Sequence, residues 1–115
     1  VTRLQQSVFD IVTKLRIDWL HPPLMEQRSM DGVLIIDITA RTVSGILLAI
    51  EVDGPYHFRR PDGKPMGPTL YRNRALRARD YTLVSIPMND WDDFGGDVHK
   101  QRHYITKRLR NVGVV

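Results

Sequence analysis

The chain has 115 residues, 42% of them apolar and 26% charged, the balance of a globular domain. No apolar run approaches the roughly 18 residues of a membrane span, and without cysteine neither a disulfide nor a zinc–thiolate centre can hold the fold. The net charge of +4 is uneven: residues 1–68 hold eight Lys/Arg against eight Asp/Glu and residues 69–115 hold nine against five, a bias that suits a polyanionic partner.

Apolar residues at Leu4, Val8, Ile11, Val12 and Leu15 recur at the spacing of one helix face and predict a first amphipathic helix. It is expected to end by His21-Pro22-Pro23, because proline disfavours helical geometry at the residue before it and lacks the amide to continue the ladder. Two β-rich runs follow, 32–40 (GVLIIDITA) and 44–52 (SGILLAIEV), which read as a hairpin. Both are apolar on both faces, so the sheet should be covered on each side. Residues 59–68 (RRPDGKPMGP) read as a loop, with Thr69 as the N-cap of a helix through Arg79. A third strand over 83–87 (LVSIP) stops at Pro87. After a turn rich in Asn, Asp and Gly comes a last helix from about Asp97, with Val98, Ile105, Leu109 and Val112 on one side and Lys100, His103, Lys107 and Arg110 on the other. The order α, β, β, loop, α, β, α implies a single α/β domain over residues 1–115, a small mixed sheet flanked by helices. Because the chain starts at Val1 with a helical pattern at once, it is expected to be cut from a longer polypeptide, with any targeting signal outside it.

The acidic residues Asp37, Glu51 and Asp53 are the candidates for chemistry. Side chains alternate along a strand, so Glu51 and Asp53 share a face, and Asp37 inside LIIDI is poorly placed for a solvated role. Converging carboxylates can hold a hard divalent cation; left without one they repel and at least one pKa rises. An acidic strand end leading into an Asp-Gly turn also needs no chemistry at all. His57 is either a general acid or base or a hydrogen-bonded turn residue.

Basic residues form two groups. On the helix after the loop, Arg74 and Arg77 are expected to face solvent, away from Tyr71, Ala75 and Ala78. Arg72 and Arg79 flank the apolar stripe, where one of them would pair with a carboxylate of the site. Lys100, Lys107 and Arg110, with His103, make the second strip. Arginine grips phosphate in a fork and stacks on bases, and Tyr56, Phe58 and Trp91 are candidate stacking groups, although Trp91 is better placed to pack against the sheet.

The blocks IEVDGP (50–55), His57-Phe58, Thr69 with Arg72 through Leu76, Tyr81, Ile86-Pro87 and Trp91, in this order, resemble the RAP domain. That module occurs near the C-terminus of organellar RNA-processing proteins, including FAST kinase-like mitochondrial proteins and helical-repeat factors of algal chloroplasts. The resemblance runs from about Leu4 to Leu109. It implies an RNA-binding C-terminal module of an organellar RNA processing, stability or translation factor, in a chloroplast rather than a mitochondrion. Single-stranded RNA would be bound without a cofactor, beside upstream helical repeats. RAP domains are similar in turn to PD-(D/E)XK nucleases of the very-short-patch-repair type, which implies a restriction-endonuclease-like fold. By that pattern Asp37 and Glu51 would hold Mg²⁺ or Mn²⁺, and Asp37, Glu51, Asp53 and His57 would form the catalytic set of an endoribonuclease. Asp53 stands where lysine is usual, and Gln5, Gln6 and Ser7 occupy the region where the first helix often gives a glutamate. The rival consequences are therefore an RNA-binding module, a metal-dependent endoribonuclease, and a protein-interaction module whose carboxylates only hold a turn and pair with Arg72.

Overall fold

A computed structural model describes residues 2–53 and 67–115, the side chains of 67–70 excepted. Its elements are α1 (Arg3–Lys14), β1 (Trp19–Arg28), β2 (Ile35–Thr42), β3 (Leu47–Asp53), α2 (Gly67–Ala78), β4 (Thr82–Pro87), α3 (Met88–Asp92) and α4 (Val98–Asn111). The four strands form one mixed sheet in the order β1-β2-β3-β4, antiparallel except for the parallel pair β3 and β4.

β1 was not expected. α1 ends at Lys14, and the segment carrying Pro22 and Pro23 pairs with β2 as an edge strand. An edge position tolerates prolines because one side of the strand needs no amide donors. The register slips between Trp19 and His21 and again between His21 and Leu24, around those prolines, as β-bulges do. The predicted hairpin is present as β2 and β3, in which Ile38 faces Ile50 and Ala40 faces Leu48.

The sheet is covered on both faces, as its apolar strands require. On one face Val8, Ile11 and Val12 of α1, Trp91 of α3 and Ile105 and Leu109 of α4 pack on Ile38, Ala40, Leu48, Ile50, Val84 and Ile86. On the other, Leu76 of α2 packs with Ile36, Ala49 and Tyr81. Three details depart from the sequence expectation. Helix α2 begins at Gly67, so Thr69 lies inside it rather than at its N-cap. Among its described side chains Leu76 is the buried one, while Tyr71 and Ala78 are exposed. Val98 is exposed too, because it opens α4 beyond the edge of the core.

The last helix starts at the predicted place for a local reason: the Asp97 carboxylate accepts from the amides of His99 and Lys100. α1 is fixed by a capping box, in which the Thr2 hydroxyl accepts from the Gln5 amide and the Gln5 side-chain oxygen accepts from the Thr2 amide at 2.7 Å.

Candidate functional site

The β2–β3 ladder ends at the pair Ile38–Ile50, and Asp37 and Glu51 lie just past it, toward the carboxyl end of β3, with their carboxyl groups within hydrogen-bond reach of each other. Open sheets tend to place their sites at the carboxyl ends of parallel strands, and β3 runs parallel to β4 here. Asp37 is half-buried and Glu51 only 5% exposed, so neither is an idle acid at a solvated strand end.

Their oxygens are already engaged, chiefly by nitrogen donors. The side-chain amide of Gln5 donates to Asp37 Oδ1 at 2.7 Å, and the backbone amide of Val52 donates to Asp37 Oδ2 at 2.8 Å. Arg72, one turn into α2 from its described start, donates from Nε to Glu51 Oε1 at 2.7 Å, with its terminal nitrogen 2.6 Å from the same oxygen and also bonded to the Ile35 carbonyl. The capping box explains why Gln5 presents nitrogen to Asp37: its oxygen is taken by the Thr2 amide, so its NH₂ is the end left to point inward.

Burial, then the charge of Asp37 and a hydrogen bond between the two carboxyl groups, push the Glu51 pKa from an ordinary 4.5 up to about 8; Arg72 opposes this without cancelling it. Near neutrality Glu51 therefore holds its proton against Asp37. Glu51 is then a protonated acid held between Asp37 and Arg72.

Mg²⁺ wants near-octahedral oxygen ligands with their lone pairs free. Here an amide, a backbone N–H and a guanidinium occupy those positions, and among the described residues no group of three or more acids or histidines is arranged to hold a metal ion. The donor set does not fit such a cation.

The remaining expected residues divide by place. Asp53 closes β3, half-buried and in register with Pro87. His57 and Tyr56, like Phe58 and most of the 59–68 loop, lie outside the described residues. Arg72, expected among the phosphate contacts, has its guanidinium engaged by Glu51 and Ile35 instead. Arg79 is likewise engaged, with Asp31 at 2.7 Å, tying the end of α2 to the β1–β2 turn.

Arg74 and Arg77 are exposed on α2. Lys100, His103, Lys107 and Arg110 are exposed along α4, joined by Arg102, while Arg108 turns inward to the Ser85 carbonyl and lies 5.0 Å from the Tyr104 ring centre. Trp91 is 3% exposed, donates its indole N–H to the Ser7 hydroxyl at 3.0 Å and meets Phe94 and Tyr104 edge-on. It is a core residue. Sequence reasoning missed Gln5 and Ser7 as partners; the T-x-x-Q spacing of a capping box was the available signal for Gln5.

Residues 50–108 match the family model described as the RAP domain. A "RAP domain-containing protein, chloroplastic" of Oryza sativa subsp. japonica is 36% identical over 105 residues, covering 91% of this chain but only 15% of that protein. The chain thus spans about 15% of the length of the relative it matches. No solved structure matches the chain. Since the family model covers more than half of its residues and the blocks at Glu51, Arg72 and Trp91 fall inside the match, the chain belongs to the RAP domain family.

Proposed function

We propose that this RAP domain binds single-stranded RNA, as a module of an organellar RNA processing, stability or translation factor whose sequence choice lies mainly in upstream helical repeats. The observation that carries the reading is the cationic strip of α4. Lys100, His103, Lys107 and Arg110 are exposed along one side of the helix. Among the described residues the ion pairs are made by Arg72, Arg79 and Arg108, and Lys100, Lys107 and Arg110 stand outside them. Clustered Lys/Arg along one helix face is the electrostatic footprint of a phosphate backbone.

Arg74 and Arg77 form a second cationic site on α2, which packs on the opposite face of the sheet from α4. One short strand of RNA would meet α4 first, and a longer one would be needed to reach both. Tyr56 is assigned to the same role as a stacking group in the segment after β3. The chloroplastic name of the rice relative supports an organellar setting, a chloroplast in particular.

An endoribonuclease using Asp37, Glu51, Asp53 and His57 is not favoured by the geometry, because the two central acids are engaged by Gln5, Val52 and Arg72. Fluorescence polarisation with a labelled single-stranded RNA tests the binding reading. The triple variant Lys100→Glu/Lys107→Glu/Arg110→Glu should lose binding at least tenfold while keeping its far-UV circular dichroism. Equal affinity in wild type and variant would sink the assignment.

A further inference from the structure

We propose that Arg72 is the resident cation of the Asp37–Glu51 pair, filling from within the fold the place that a divalent metal ion would take between two facing carboxylates. The two acids meet just past the end of the β2–β3 ladder, where Glu51 is buried beside Asp37, a place that favours a positive group alongside. The structure supplies one from α2. Arg72 places Nε and a terminal nitrogen on the same Glu51 oxygen, and that terminal nitrogen also donates to the Ile35 carbonyl at the start of β2. A guanidinium is suited to this task because it stays charged, is weakly hydrated and offers several N–H groups in a fixed plane.

The other side of the pair is closed as well. Gln5 and Val52 give Asp37 one N–H on each oxygen. A metal ion entering here would have to expel the guanidinium or sit beside it, and would find N–H hydrogens where its ligands should be. The arrangement also ties three layers together: α1 through Gln5, the sheet through Asp37, Glu51 and Val52, and α2 through Arg72. Its function is to seat α2 on the sheet. This role is independent of the RNA reading, and no RNA enters its test.

The test uses MnCl₂ as probe, read by thermal melting and by paramagnetic broadening of backbone amide signals in a ¹H–¹⁵N spectrum. Wild type should show no Mn²⁺-dependent rise in melting temperature and no selective broadening at Gln5, Asp37 or Val52. Arg72→Met removes the charge and the guanidinium while keeping an unbranched apolar stem; it should melt several degrees lower, acquire saturable broadening at those amides, and lose it again when Asp37→Asn is added. Arg72→Lys keeps the charge but not the fork, so it should melt lower and still exclude Mn²⁺; this variant serves even if Arg72→Met does not fold. Saturable broadening in wild type that Asp37→Asn abolishes would overturn the proposal. A folded Arg72→Met variant as indifferent to Mn²⁺ as wild type would overturn the assignment of Arg72.

Discussion

Replacing Glu51 by Gln should change how stability depends on pH more than it changes stability near pH 5. Glu51 is 5% exposed, and burial together with Asp37 raises its carboxyl to about 8 against an ordinary 4.5, with Arg72 pulling the other way. Between those two values the native state holds a proton that the unfolded state has released. The stabilisation is therefore fully present below about 4.5 and is lost as pH rises through about 8. One proton sets a limiting slope of about 1.4 kcal/mol per pH unit, and across the whole window the loss has an upper bound of about 5 kcal/mol. Against a domain stability of roughly 5–15 kcal/mol that is enough to be decisive. Glutamine keeps the shape, its NH₂ can donate to Asp37 as the protonated acid does, and its oxygen can accept from Arg72, but it does not titrate. Urea unfolding at fixed ionic strength from pH 5 to pH 9 is the assay. Glu51→Gln should lie within about 1 kcal/mol of wild type at pH 5, where only a hydrogen-bond partner has been exchanged, and should be the more stable protein at pH 9. Parallel pH profiles for the two proteins would refute the reasoning.

Other expectations follow from named contacts. Gln5→Glu would bring a second carboxylate to Asp37 in place of an N–H donor and should destabilise by about 1–3 kcal/mol at pH 7, with the deficit shrinking on acidification, as measured by urea titration. Trp91→Phe removes the bond to Ser7 and part of a large buried ring, and should cost about 1–3 kcal/mol, whereas exposed Tyr71→Ala should stay within about 0.5 kcal/mol by the same measurement. Asp97→Ala uncaps α4 and should lose about 1 kcal/mol by thermal melting, without moving its start in amide-exchange data by more than a turn.

Much of this could be read from the residues alone, and the reasons it could are physical. The apolar β-rich runs holding LIIDI and AIEVD were legible as a hairpin, which put Asp37 and Glu51 on adjoining strands; where their carboxyl groups met, past the Ile38–Ile50 pair, was not legible. The helical period in α4 separated Ile105 and Leu109 from Lys100, Lys107 and Arg110 correctly because the core demands that face. Val98 failed because a first-turn residue can extend past the core and escape it.

β1 stayed hidden because Pro22-Pro23 signals a break wherever the segment's place in the sheet is unknown; only the edge position, a property of the whole sheet, makes the prolines harmless. Arg72 was ambiguous for a similar reason. Sequence spacing put it beside the apolar stripe together with Arg79, and both proved to be paired, Arg72 with Glu51 and Arg79 with Asp31. Which acid lies within reach depends on how α2 crosses the sheet, and no local pattern encodes that. The functional contrast on the basic surface follows from it: Arg74 and Arg77 are left outside because Arg72, Leu76 and Arg79 are turned toward the sheet and its turns.

The most direct measurement of the central claim is the salt dependence of RNA affinity. For wild type, the logarithm of the association constant for a single-stranded RNA should fall linearly with the logarithm of salt concentration, each neutralised phosphate contributing about 0.7 to the slope. Substituting Lys100, Lys107 and Arg110 together by alanine should flatten that slope by about 2. A wild type whose affinity is indifferent to salt, or a triple variant with an unchanged slope, would contradict the account.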